Sequence, residues 1–418
     1  YVQSVMKEIL LRYIIIGILS FLFILSCSDK NHSITYPHFE GNFEFQSFTV
    51  DSIVSGTSYT ISPKLGDHGY LYSGSKNNYN CEFTLIDFTS FYALNAYPEV
   101  FANPDTVDSM MLKIYLSDES IIPIPDIFLT YLHSANDSIF HEDETIYSEF
   151  DPHGFPDTIG LGVFQLSEED TNSTVNSIEL IIKDTANISE LLSYSDDMSK
   201  CFLLSSTETS GLIKMYSSES KDIFGQPFSI PELYIYYTVI DSTDSSYVSS
   251  FSLPVLQDVT LINPPNIASN LLPQDSLYIS GSIFHSILEF SLDPFLGLPE
   301  QFVIKEDSYL YLETSFQDDS VTVIRAYPLS DSVDGSEHFS SVDEEYSVDK
   351  SIYMPTWFED GKLKIGIQSY LQYALTQEIE HFGINLQGSI NNDPFATVSV
   401  VKPDSSHSII SIEYFSDQ

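Results

Sequence analysis

Cys27 closes an apolar segment near the start of the chain, in a setting where its thiol could carry a lipid. Lys7 and Arg12 precede an apolar run that ends Ile24-Leu25-Ser26-Cys27. Cations, an apolar stretch and a small residue before a cysteine are typical of a bacterial lipoprotein signal, which is cleaved before the acylated cysteine. We therefore expect residues 1–27 to be a signal helix with Cys27 as its lipidation site. An ordinary membrane anchor and a plain cleaved signal stay open as alternatives.

Aromatic side chains are the residue type through which an exported protein of this kind could bind saccharides. Sugar rings stack their apolar faces on aromatic rings, and nearby polar groups fix the hydroxyls. The chain has 27 Tyr, 29 Phe and one Trp. Trp357 lies in a predicted loop, where it is either a binding platform or a cap on the core. Tyr72, Tyr79 and Tyr278 are weaker candidates for ligand binding.

Two further cysteines follow Cys27, and their chemistry depends on the compartment. In an oxidising environment Cys81 and Cys201 could form one disulfide. Both also lie in apolar, strand-like segments, so two buried thiols are the alternative.

Acidic clusters raise the question of calcium, because this cation takes carboxylate and carbonyl oxygens. Three clusters occur, at Glu142-Asp143-Glu144, Glu168-Glu169-Asp170 and Asp343-Glu344-Glu345. None has the spacing of a known calcium-binding loop. A structural calcium ion is therefore the one cofactor left open, and no metal ligands are assigned.

Catalytic motifs are missing from the sequence. It contains no His-Glu-x-x-His, no Gly-x-Ser-x-Gly and no phosphate-binding loop. The ten His residues are scattered, and His68, His153 and His285 are typical of surface or turn positions. With 60 acidic residues, a glycosidase carboxylate pair can be drawn almost anywhere, so that pattern carries little weight.

The charge of the chain limits its partners. Sixty acidic residues face 16 Lys and Arg, a net charge of −44. Such a surface repels nucleic acid and anionic lipid headgroups, so we expect no nucleic-acid partner, and an anionic partner only if calcium bridges. The chain is 43% hydrophobic and 14% aromatic, which disordered acidic chains are not.

The elements that must position these residues are short strands. Apolar residues alternate with polar ones in segments such as 112–116, 233–236 and 310–312. Helical periodicity is absent after the signal. This pattern predicts an all-β protein of antiparallel sandwiches rather than a parallel sheet with helices.

The predicted strands also repeat themselves. Four landmarks recur in the same order: 71–75 as 277–282, 83–88 as 285–290, the strand and helical turn 180–192 as 363–375, and the closing strand 233–237 as 410–414. The interval from Ile182 to Ile188 equals that from Ile365 to Leu371. Two tandem modules explain this recurrence; one large sandwich with accidental similarity is the alternative.

The boundaries follow from composition. We expect a polar tether at 28–42, a first β-sandwich module at 43–246, a linker at 247–268 and a second module at 269–418. The serine- and aspartate-rich run 241–246 and Pro264-Pro265 are the linker signals.

The repeated segments resemble the DNRLRE-type jelly-roll modules of secreted bacterial proteins, which are related to carbohydrate-binding modules. In the first copy the resemblance lies in 84–88, 108–116, 178–192, 201–205 and 231–237, and the second copy adds 382–386. It implies two jelly-roll-like sandwiches. It consists of core-strand patterns, which specify fold rather than function. Asp87 and Glu289 stand where the family has a basic residue, so the resemblance does not carry over an anionic-polysaccharide ligand.

Together these features predict a lipid-anchored, non-catalytic binding or adhesion protein of the cell envelope, with a glycan or a cell-surface protein as ligand. Ser28 after Cys27 points to the outer membrane, on its periplasmic or exposed side. One alternative is a structural lipoprotein with a smooth polar outer sheet that binds no sugar. Another is a polysaccharide-degrading enzyme, which would need two carboxylates or a Tyr/His pair that converge in a cleft.

Overall fold

The computed structural model describes most of the chain after the tether. The described residues are 43–51, 55–76, 79–89, 106–117, 126–133, 139–155, 158–164, 177–193, 199–206, 211–221, 230–240, 245–263, 275–299, 302–317, 323–333, 341–342, 345–376, 379–389, 393–402 and 408–417. The predicted signal and tether, with Cys27, lie outside them. Within these ranges, no helix combines the length and the apolarity that a membrane span requires.

The fold is all-β, as the alternating patterns predict. In chain order the strands are β1 (Phe43–Asp51), β2 (Ser55–Ile61), β3 (Tyr70–Lys76), β4 (Tyr79–Thr89), β5 (Val107–Tyr115), β6 (Ile127–Leu132), β7 (Ile159–Phe164), β8 (Ser177–Ile182), β9 (Ser199–Ser205), β10 (Gly211–Tyr216), β11 (Glu232–Ile240), β12 (Ser246–Asn263), β13 (Ser276–Ser280), β14 (Phe284–Glu289), β15 (Phe302–Ile304), β16 (Tyr309–Gln317), β17 (Ile324–Pro328), β18 (Ser341–Val342), β19 (Thr356–Glu359), β20 (Lys362–Gly366), β21 (Ile384–Gly388), β22 (Thr397–Val401) and β23 (Ser408–Asp417). The helices are α1 (Thr185–Ser193) and α2 (Gln368–Leu375), with short 3-10 turns at Pro152–Gly154 and Asp293–Phe295.

The first module is a sandwich whose strands pair in the order β7-β6-β9-β4-β12-β11-β5-β8. The long strand β12 joins the two layers, because its second half pairs with β4 and its first half with β11. Strands β3 and β10 pair with each other, and β3 also pairs with β4. The apolar core between the layers includes Ile188, Leu191 and Leu192 of α1.

The second module repeats this strand order. One layer runs β17-β21-β14-β2-β18 and the other β1-β23-β16-β20-β19, while β13 pairs with β22. In the first layer β21-β14-β2 matches β9-β4-β12, and in the second β1-β23-β16-β20 matches β12-β11-β5-β8. Tyr370 and Leu371 of α2 enter the core as α1 does in the first module. The predicted duplication is therefore confirmed in strand order and in the placement of the helix.

A buried hydrogen-bond network repeats as well. The Tyr72 amide donates to Thr260 Oγ1 at 2.8 Å, and Thr84 Oγ1 donates to the Tyr72 carbonyl oxygen. The second module forms the same two bonds at 2.8 Å each, with Tyr278, Ser58 and Ser286 in the matching places. Buried hydroxyls need such partners, so equal networks at equal positions show that the two modules share one packing scheme.

The predicted domain boundaries are wrong in two places. Residues 246–263, the described part of the predicted linker and the residue before it, form β12 of the first module. The serines of this segment make its composition polar and suggested a linker. They alternate with Phe251 and Leu253, which face the core, as in a strand with one solvated face. Strands β1 and β2 belong to the second module, because β1 pairs with β23 and β2 pairs with β14.

The predicted disulfide is also wrong. Cys81 and Cys201 are free and buried. Cys201 lies opposite Asp87 on the neighbouring strand β4, which places it roughly 20 Å along the strand from Cys81 at about 3.3 Å per residue. A disulfide requires Cα atoms within about 7 Å, so the alternative of two buried thiols is the one observed.

Candidate ligand-binding site

Three of the aromatic residues selected from the sequence lie between the two modules. Tyr72, Tyr79 and Tyr278 are 1%, 3% and 6% exposed and belong to one apolar cluster with Phe284 and Phe395. The ring of Tyr79 lies 5.7 Å from that of Phe395 and 6.4 Å from that of Phe284. These tyrosines hold the modules together and are out of reach of a ligand in solution, so their prediction as binding residues is wrong.

Trp357 lies on β19 at the outer surface of the second module, half-buried, and does not cap the core. Its ring meets Tyr309 edge to face at 5.2 Å and 89°, and Tyr309 meets Tyr311 at 5.9 Å and 75°. Lys364 Nζ lies 5.3 to 5.9 Å from the three ring centroids. Perpendicular rings occupy one another's faces and edges, so this group does not offer the flat platform that the sequence suggested.

A different group of residues lies on the outer face of the layer β17-β21-β14-β2. On β14 the side chains of Ser286 and Leu288 turn towards the core, so alternation turns His285 to the opposite face. His285 stands opposite Tyr59 of β2. The neighbouring rows complete the face with Asn385, Gln387, Arg325 and Tyr327.

The first module has a very different surface at the same positions. By strand register the six equivalents are Phe83, Leu261, Leu203, Ser205, Phe128 and Thr130. This face is covered by the segment 139–155, with Phe83 stacked on Tyr147 at 5.8 Å and 14°. The matching face of the second module is polar at these six positions and is covered only in part: Tyr346 meets Tyr59 at 4.8 Å, whereas Arg325 is exposed.

A cavity of about 660 Å³ opens on the polar face, within the roughly 300–1,000 Å³ of sites for small ligands. Its charged and polar lining includes Lys64, His285, Arg325, Glu345, Lys350 and Gln387. Lys64 comes from the segment after β2, and Glu345 and Lys350 come from the segment that precedes β19. The cavity is therefore lined by residues from five separate parts of the chain.

Among the described residues that line this cavity, cations outnumber carboxylates by three to two. Lys64, Arg325 and Lys350 face two carboxylates, those of Asp67 and Glu345. Among the described residues, none of the three cations has an ion-pair partner within 4.0 Å. Burial raises the pKa of Glu345, and the two lysines oppose that shift. In a chain with a net charge of −44, this is a local reversal of sign.

His285 is neutral in this setting. Burial lowers its pKa to about 3, so its 3.3 Å approach to Glu345 Oε1 is not an ion pair. Tyr59 Oη donates to Asn385 Oδ1 at 3.2 Å and lies 3.3 Å from His285 Nδ1. Both contacts are satisfied if Nδ1 carries the proton, which leaves Nε2 as the acceptor of the ring.

A second polar cluster lies in the first module, around Asp258. Burial, followed by the charges of Glu142 and Glu219, raises the pKa of Asp258 to about 8. Burial and Glu219 likewise raise the pKa of Glu142 to about 7. Asp258 Oδ2 accepts from the Ser218 amide at 2.7 Å, whereas Oδ1 has no hydrogen-bond partner among the residues that the structure describes.

The three acidic clusters considered as calcium sites lie in different places. Glu142 belongs to the cluster around Asp258 and Glu345 lines the cavity of the second module, whereas 168–170 and 343–344 lie outside the described residues. Over the part of the chain that the structure describes, no three His, Cys, Asp or Glu side chains are grouped so that they could hold a metal ion. The structure thus assigns no calcium ligands.

Sequence reasoning missed the cavity residues, although one signal was present. The repeat places His285 at the position of Phe83, and a polar residue at an apolar position of a duplicated strand marks a change of environment. The other five positions lie outside the strongest landmarks. Only the strand register aligns them.

Comparisons with known proteins add little. No family model matches the chain, and no curated protein matches it. One solved structure found in the search is the M60 catalytic domain with the CBM51-1 and CBM51-2 domains from Clostridium perfringens ZmpB. It is 9% identical over 89% of this chain and 38% of that chain, with a TM-score of 0.11, which is too low to carry an argument.

Proposed function

We propose that the protein is an exported, lipid-anchored binding protein of the cell envelope whose second module holds an acidic saccharide, carboxylated or sulfated, without transforming it. The observation that carries this proposal is the contrast between the two modules. Six matching positions are mostly apolar in the first module, whereas in the second they are polar, and four of them (His285, Gln387, Arg325 and Tyr327) line a cavity together with Lys64 and Lys350.

The chemistry of the cavity favours an acidic sugar over a neutral one. A guanidinium pairs with a carboxylate or a sulfate through two parallel hydrogen bonds, and Arg325 has no such partner within the described residues. Gln387, Tyr327 and the neutral His285 can exchange hydrogen bonds with hydroxyl groups. The overall negative charge opposes approach from a distance, but charges beyond about 10 Å are screened at 0.1 M salt, so the local cations decide.

Binding fits the directions of the pKa shifts at this site better than catalysis does. Tyr59 and His285 form the kind of Tyr/His pair that a polysaccharide-degrading enzyme would need, at 3.3 Å. However, burial raises the pKa of Tyr59 and lowers that of His285 to about 3. A general acid or base works best with a pKa near the working pH. This pair instead supports a fixed hydrogen-bonding surface.

A glycan array tests the proposal directly. We expect residues 28–418 to be retained on uronate-containing or sulfated glycans, and to be released as salt is raised from 0.05 to 0.5 M. Neutral glycans of the same linkage should retain little. Absence of retention on any glycan would favour the structural alternative, and equal retention on neutral glycans would point away from the cations.

The anchor has its own test. Replacing Cys27 by alanine removes the thiol that would be acylated, so the protein should move from the membrane fraction to the soluble fraction when expressed in a bacterial host that processes lipoproteins. Ser33→Ala, in the predicted tether, leaves the signal and the cysteine unchanged and serves as the control. Unchanged membrane retention of the alanine variant would refute lipidation.

A further inference from the structure

Strands β1 and β2 stand apart from the rest of the chain in their connectivity. The first module is built from one continuous stretch, from β3 to β12. Strands β1 and β2 precede that stretch, yet they pair with β23 and β14 of the second module. Neither β1 nor β2 belongs to the first module. They complete the second module, although they precede the first module in the sequence.

In the first module β12 fills the matching place. Phe251 stands opposite Ile235 as Phe48 stands opposite Ile412. Thr260 stands opposite Thr84 as Ser58 stands opposite Ser286. The two segments are therefore equivalent pieces that complete equivalent sandwiches.

The second module depends on the strands that it receives. Without them β23 loses a nine-residue register and β14 loses a six-residue one. Ser58 and Tyr59 are 0% and 1% exposed, and a Cβ placed on Gly56 would lie 2.5 Å from Leu277 Cδ1. Removal would leave a groove with unpaired strand edges, which readily accept another strand.

The two equivalent pieces differ in how they are connected. Strand β12 follows β11 through residues 241–245, in a hairpin that begins with the pair Ile240 and Ser246. Hairpin partners are held together by their short link. By contrast, β1–β2 reach the second module from β3 through residues 62–69, and no hairpin joins them to β23 or β14.

We propose that β1–β2 of one copy complete the second module of a second copy of this chain, which gives a strand-exchanged dimer or a longer head-to-tail assembly. The donor strands make the same backbone pairs and the same buried contacts within one chain or between two. Residues 62–69, in which Leu65 is 1% exposed and Lys64 and Asp67 line the cavity, keep their place if the first module of the donor copy packs against the second module of the acceptor copy, and the chains then cross between β12 and β13. The local concentration of the donor is the remaining difference. Exchange of an identical element costs little for this reason, and it is favoured as protein concentration rises.

Single-cysteine variants test the exchange. Thr49 and Ser411 stand opposite each other on β1 and β23, and the native Cys81 and Cys201 are buried. A Thr49→Cys variant and a Ser411→Cys variant of residues 28–418, with different affinity tags, are mixed in mild urea, returned to buffer and oxidised. We expect a disulfide-linked heterodimer whose yield rises with protein concentration.

The hairpin supplies the matched control. Tyr234 and Ser252 stand opposite each other on β11 and β12, so Tyr234→Cys mixed with Ser252→Cys should give at least tenfold less heterodimer. Yields equal to this control at every concentration would overturn the proposal. A single chain with both Thr49→Cys and Ser411→Cys should form an internal disulfide; failure to do so would overturn the pairing on which the proposal rests.

Discussion

Replacing Arg325 by glutamine should weaken the binding of an acidic saccharide by about 10- to 100-fold while leaving the fold intact. A hydrogen bond to a charged group contributes about 1.5–3 kcal/mol, and about 1.4 kcal/mol corresponds to a tenfold change in affinity. Arg325 is exposed on β17 and has no ion-pair partner among the described residues. Its loss therefore removes a contact with the ligand and little else. Isothermal titration with the strongest array ligand measures the effect.

The control must change the charge equally at another place. Lys362 is exposed on β20, in the opposite layer of the second module, so Lys362→Gln should alter affinity less than twofold. Trp357→Ala tests the surface aromatic group in the same way. A large loss with Trp357→Ala and none with Arg325→Gln would move the site from the cavity to that group.

The stability of the protein should fall as pH rises from 5 to 9, and Asp258→Asn should remove most of that dependence. The pKa of Asp258 is raised from 3.8 to about 8 in the folded state. A raised carboxyl pKa means that the folded protein binds the proton more tightly than the unfolded chain. The stabilisation is complete below the unfolded value and is lost as pH rises through the folded value. The expected loss is about 4 kcal/mol between pH 5 and pH 9.

Urea unfolding at several pH values measures this effect. The net charge of −44 adds a general repulsion that also grows with pH, so the quantity of interest is the difference between the parent protein and Asp258→Asn. Glu313→Gln removes one exposed carboxylate and should leave the slope unchanged. Parallel pH profiles for the parent and Asp258→Asn would show that Asp258 ionises normally. Glu142, whose pKa is about 7, should make a smaller contribution of the same sign.

The duplicated fold could be predicted because it depends on local patterns. The segments 71–75 and 277–282 differ by one inserted residue, Ile279, and they begin in equivalent strands, which their local pattern predicts. The intervals from strand to helix, as between Ile365 and Leu371, were also reproduced. These features need no knowledge of which strands meet in space.

The assignment of β1 and β2 to the second module, and of β12 to the first, could not be predicted from such patterns. Phe48 and Phe251 both lie in short runs that alternate, and each run is compatible with pairing in either module. Which edge each strand joins depends on long-range backbone pairing, which composition does not report. The serines around Phe251 even suggested a linker, because a strand with one solvated face and a polar linker share their composition.

The cavity was missed for a related reason. Net charge is a sum over the chain and says nothing about where Lys64, Arg325 and Lys350 meet. The tyrosines at 72, 79 and 278 were selected by residue type, and their burial between modules depends on a contact that no local motif encodes. A position-by-position comparison of the two repeats, as at Phe83 and His285, is the sequence evidence that comes closest to the site.

A crystal structure of residues 28–418 with the strongest acidic oligosaccharide from the array would show whether the polar face of the second module binds an acidic saccharide. We expect density for the carboxylate or sulfate against the Arg325 guanidinium, with sugar hydroxyls near Gln387 and His285. Ligand density on the first module or against Trp357, with an empty cavity, would contradict it.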